Sequence, residues 1–172
     1  MATTTAAATP RPPKISLAPN LLDRLLSAAS VVLFLMVLAA LLRGRDEWRL
    51  VPLFIWLHLV TIAAALALTP VMLLRRRGDR LHRRLGWVWA AAMMGSALSS
   101  FALRGINDGS LSYIHLFSAL TLVQVPVIVW TARTHRHARH RDTVRAMVAF
   151  ALLTAGFFTF PFDRLLGRWL FG

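Results

Sequence analysis

Cysteine is absent from the 172 residues. Its absence excludes structural disulfides, thiolate metal sites, covalently attached c-type haem and cysteine-held iron–sulfur clusters. Lysine occurs once, as Lys14, so nineteen of the twenty basic residues are arginine, a usage that fits a GC-rich bacterial genome. Acidic residues number only seven. Neither they nor Lys14 fall inside a long apolar run, whereas ion-coupled transporters and proton pumps carry such groups near the bilayer midplane. No P-loop, glycine-rich nucleotide fingerprint or nucleophile–base pair is present, so a hydrolase or ATPase has no footing.

Apolar sequence makes up the bulk of the chain: 57% of residues are hydrophobic and the mean hydropathy is +0.59. Soluble domains of this size are less apolar and lack repeated runs of about twenty apolar residues. The fold class read from this pattern is an all-α integral membrane protein with five transmembrane helices, near 26–43, 50–74, 83–103, 111–132 and 143–162. Each run is long enough to cross a hydrocarbon core of about 30 Å. Residues 1–20 are small, polar and Pro-rich and read as a disordered tail. Residues 21–172 read as one domain, in which helices 2–5 form an antiparallel four-helix bundle with helix 1 peripheral. The first run starts too late and is too long for a cleaved signal. Proline at 52 falls in a first helical turn, where it is tolerated.

The net charge of +13 would point to nucleic acid in a soluble protein. Here the arginines sit between apolar runs, and topology with anionic lipids accounts for them; no nucleic-acid partner is required. Fourteen basic residues share one side (Arg11, Lys14, Arg24, the 75–84 loop and 133–145), against six on the other (Arg43, Arg45, Arg49, Arg104, Arg164, Arg168). The positive-inside rule then predicts a bacterial inner-membrane protein with its N-terminus in the cytoplasm and its C-terminus in the periplasm. Small residues in GSALSS, 95–100, read as helix packing, and Asp108-Gly109 as a turn. Gln124 reads as an interhelical hydrogen bond and Pro126 as a bend.

The six histidines are the remaining chemistry. His58 lies seventeen residues from Arg75 and His115 eighteen from Arg133, which places both roughly 25–27 Å from the arginine-rich edge. His82 lies twenty-two residues from Arg104 and His140 twenty-four from Arg164, roughly 33–36 Å from the opposite edge. Two pairs result, His58 with His115 and His82 with His140, each drawn from alternate helices. Paired histidines on facing helices are what a bis-histidine b haem requires, together with small residues and groups for its propionates; Gly86, Ser118 and the edge arginines qualify. Two such haems would form an electron path across the bilayer. The competing reading makes the histidines structural, in a non-enzymatic membrane protein that packs against a partner or senses a small apolar ligand. His135 and His137, in THRHARH, read as solvated loop residues.

The segments LHRRLGWVWAAAMMGSALSSFALR (81–104), SYIHLFSALTLV (112–123) and 140–172 resemble a bacterial family of membrane proteins known only as a domain of unknown function. LHR-x-LGW and IHL are the more specific elements. The resemblance covers roughly 50–172 and matches His58, His82, His115 and His140 to the family's histidine positions. It implies a fold and no activity. The spacing of the four histidines also resembles that of the ascorbate-reducible diheme b cytochromes, which implies haem b and a redox partner.

Overall fold

The computed structural model describes residues 18–103, 114–161 and 163–172. The predicted tail, apart from residues 18–20, and the Asp108-Gly109 turn lie outside them. Among the described residues the chain is helical, without strands. It comprises α1 (Leu21–Arg43), a 3-10 turn (Arg45–Leu50), α2 (Leu53–Leu74), α3 (Arg80–Ser100), α4 (Ile114–Arg133), α5 (His137–Ala146), a π-helical stretch (Met147–Thr154), α6 (Ala155–Phe157) and α7 (Leu165–Phe171). α5, the π stretch and α6 run on as one continuous rod.

Helices α1, α2 and α4 are long and apolar enough to cross a membrane. Large apolar side chains stay exposed on the outer faces, among them Leu35, Leu57, Val60, Leu116, Val123 and Phe150. A water-soluble monomer does not expose apolar surface on this scale; a bilayer covers it. α3 and α5 open on RLHRRLGW and HARHRDTVRA, whose charges dilute the apolar stretches behind them.

α1 begins at Leu21, ahead of the apolar run, because Asn20 and Asp23 form a capping box: each side chain accepts from the other's backbone N–H at 3.1 Å. Two orphan donors are satisfied together, which fixes the start of the helix. Asp23 therefore lies within a helix that its sequence neighbours had placed after it, and its carboxylate is fully buried. It accepts from Arg77 Nη2 at 2.7 Å, from Arg145 Nε at 2.8 Å and from Arg145 Nη2 at 2.9 Å. One carboxylate thus joins the N-terminus of α1, the α2–α3 loop and α5. Asp79 caps α3 by accepting from the His82 N–H at 2.6 Å. Its hydrogen bond to Arg75, with this backbone bond, holds the carboxyl below the usual carboxylate range.

Packing joins α2 to α3 most extensively, then α1 to α2, then α3 to α4; α4 meets α5, and the π stretch makes a sparser contact with α2. α1 lies against α2, α7 and the π stretch. The α2–α3 seam is close because Gly95 faces Thr61, whose Cγ2 would stand 3.1 Å from an added Cβ. Packing is the role expected of GSALSS. Farther along the seam, buried Trp89 donates Nε1–H to Thr69 Oγ1 at 3.0 Å. Thr69→Val keeps the shape and orphans the indole donor. A loss of about 1–3 kcal/mol is expected, measured by unfolding in detergent, and Thr69→Val should cost less in a Trp89→Phe background, where no indole donor is left to orphan.

Candidate functional site

His58 projects from α2 toward α3. Its Nδ1 lies 3.0 Å from the Ser96 carbonyl and 3.2 Å from Ser99 Oγ. The carbonyl can only accept, so Nδ1 carries the hydrogen and Nε2 is left as the basic nitrogen. A ring fixed in this way by a backbone carbonyl has the usual orientation of a metal-ligating histidine. His140, on α5, repeats the arrangement, with Nδ1 3.1 Å from the Ile128 carbonyl of α4.

His115 is buried near the start of α4, its ring 5.6 Å from that of Phe101. His58 and His115 line one cavity of about 130 Å³. They come from helices that are not principal packing neighbours, so the cavity lies between α2 and α4 across the helix set. Ser96, Ser100, Ser118 and Thr121 give it a polar wall, and Leu66, Met93 and Ala151 an apolar one. Ser100 and Ser118 hydrogen-bond to each other and tie α3 to α4 beside His115. Arg164, the residue before α7, also reaches the cavity, and its Nε is buried without a hydrogen-bond partner among the described residues.

His82, in the first turn of α3, and His140, in the first turn of α5, both lie at the arginine-rich end. His82 Nδ1 is buried and has no hydrogen-bond partner among the described residues. His135 and His137 sit together with ring centroids 5.9 Å apart, and His137 precedes His140 by one turn of α5. His137 begins α5 rather than lying in a loop, and His135 has a φ of 55° in the turn before it.

The π stretch shapes the cavity from the far side. Thr154 Oγ1 donates to the Ala149 carbonyl five residues back, at 2.9 Å. Ala151, Ala155 and Gly156 line the cavity from this rod. Gly156 also lets α1 approach, since an added Cβ would stand 2.6 Å from Leu33 Cδ2. π-helical turns are rare and recur at functional sites.

Among the described residues no three His, Cys, Asp or Glu side chains converge to hold a metal ion. A bare ion takes three or four protein ligands, whereas two imidazoles suit a group that brings its own equatorial donors. The carbonyl-held Nδ1 of His58 and of His140 would leave Nε2 of each ring free to hold such a group; His82 Nδ1 has no such anchor among the described residues. The cavity of about 130 Å³ is smaller than the roughly 300–1,000 Å³ of ordinary ligand pockets. A tetrapyrrole enters only if lining side chains withdraw, and flexible Met93 is the one best suited to do so. No family model, curated protein or solved structure matches this chain.

Proposed function

We propose that this chain is a multi-pass membrane protein carrying two bis-histidine sites, His58 with His115 and His82 with His140, and that haem b is the group they hold. α3 and the α5–α6 rod complete five crossings, and helices α2–α5 form the antiparallel bundle around the sites. The arginine-rich end, with its fourteen basic residues, is assigned to the cytoplasm of a bacterial cell. The family likeness in LHR-x-LGW and IHL belongs to the same proposal.

The observation that carries it is the convergence of His58 and His115 on one cavity from opposite helices, with Nδ1 of His58 committed to a carbonyl. Bound haem would supply one-electron chemistry at a potential set by its axial ligands. The chain's own residues do the rest. Ser96 and Ile128 carbonyls orient the rings, Arg164 offers a cation to an acidic substituent, and the apolar wall excludes water.

The test is a reduced-minus-oxidised difference spectrum of purified protein produced with haem precursor. A b-type α-band is expected, reduced by about half in His58→Ala and again by about half in His82→Ala under the two-site model. His135→Ala and His137→Ala should leave it unchanged. A flat spectrum overturns the proposal. The cavity volume favours one other reading, since about 130 Å³ admits a molecule of roughly benzene size without any side chain withdrawing. In that case the site takes a small apolar ligand and the histidines are structural.

A further inference from the structure

A second, larger concavity opens between α3 and α4, a groove of about 450 Å³. Ala91, Met94 and Pro126 lie along it, and Trp87, Trp130 and Arg133 stand toward its arginine-rich end. Alanine and proline leave the space because neither projects a long side chain. The lining is almost wholly apolar apart from Arg133, so in a bilayer the groove accepts hydrocarbon.

Its charged end is unusual. The Arg136 guanidinium stacks over the Trp130 ring at 4.5 Å from the centroid, and that of Arg139 stands 5.9 Å from the same centroid. Arg133 lines the groove together with Trp130, so the indole that carries two guanidiniums also closes the charged end of an apolar groove. The neighbouring carboxylate, Asp142, pairs with Arg141 and Arg145 instead. Among the described residues no carboxylate lies within ion-pair distance of Arg133, Arg136 or Arg139. Cation–π contact holds the Arg136 and Arg139 guanidiniums in place but does not neutralise their charge. An anion with a hydrocarbon tail satisfies both halves of the feature.

We propose that the groove binds an anionic phospholipid, with an acyl chain along α3 and α4 and its phosphate among Arg133, Arg136 and Arg139. Planar guanidiniums bind phosphate in a two-pronged fashion that lysine cannot reproduce. The site is distinct from both histidine pairs and stands whether or not they hold haem.

The experiment uses the full chain in phosphatidylcholine vesicles into which lipid with brominated acyl chains is titrated. Bromine quenches indole fluorescence at contact, and Trp87 and Trp130 flank the groove. Brominated phosphatidylglycerol is expected to quench at a lower mole fraction than brominated phosphatidylcholine. Arg133→Gln, Arg136→Gln and Arg139→Gln should together erase the preference, about fivefold for each charge removed. Ala91→Leu fills the groove, keeps every charge and should weaken quenching by the anionic lipid. Equal quenching by the two lipids overturns the proposal. So does a preference that survives Ala91→Leu unchanged, because diffuse attraction to a basic surface then explains it.

Discussion

Asp23→Ala is expected to destabilise the protein by about 3–5 kcal/mol, the usual cost of removing one partner from a buried ion pair. The native carboxylate is fully buried, and the guanidiniums of Arg77 and Arg145 are 14% and 11% exposed. Removing the acid leaves two nearly buried cations facing each other. It also removes half of the capping box that starts α1. Arg77→Met and Arg145→Met should each cost less, because Asp23 keeps one cationic partner in either variant. An ordering test therefore accompanies the magnitude: Asp23→Ala must be the worst of the three, and Asp23 and Arg145 must be non-additive in a double-mutant cycle. Reversible unfolding in mixed micelles gives the numbers. A loss below about 1 kcal/mol for Asp23→Ala would mean that the arginines escape to water along their aliphatic stems, and the junction of three helix ends would then carry little stability.

The same residue shows what the sequence conveys and what it withholds. Apolar runs locate the long helices because bilayer thickness sets their length, and arginine positions set their ends. Asp23 and Arg24 read as the polar flank of the first run, yet the Asn20–Asp23 spacing is that of a capping box and was legible as a helix start. Histidine spacing can be counted at a fixed helical rise, so His58 and His115, which line one cavity, could be set at one level from the sequence. Their surroundings could not. Ser96, Ser99 and Ser100 look like any small packing residues in a membrane helix, and only the rotation of α3 against α2 turns the Ser96 carbonyl toward His58. Arg164 lies 49 positions beyond His115, and nothing local announces that it returns to the cavity. The π stretch has no sequence signature either; it lies where the rod packs against α4, α1 and α2 together.

Gly167→Ala is expected to displace α7 and cost about 3 kcal/mol, at the upper end of ordinary overpacking penalties. A Cβ at this position would lie 1.8 Å from the Phe160 carbonyl oxygen and 2.8 Å from its carbon. The obstacle is backbone, so no side-chain rotation relieves it. α7 is a short helix held by specific contacts: Trp169 donates Nε1–H to the Glu47 carboxylate at 3.1 Å, and Arg43 donates to the Leu170 carbonyl at 2.6 Å. The Trp169 ring lies against Gly44 so closely that a Cβ there would stand 2.1 Å from it. Moving α7 disturbs all three contacts at once, and with them Arg164, the N-cap of α7, whose guanidinium reaches the His58–His115 cavity. Gly86→Ala supplies the control, since its Cβ would meet only Met72 Cε at 3.4 Å; there alanine should be neutral or, by helix propensity, stabilising by up to about 1 kcal/mol. Limited proteolysis reads the local effect, with cleavage near the C-terminus rising in Gly167→Ala and not in Gly86→Ala. Global unfolding reads the energy. If both variants behaved alike, Phe160 would not pack against Gly167 as described, and the route by which α7 carries Arg164 to the cavity would fall with that contact.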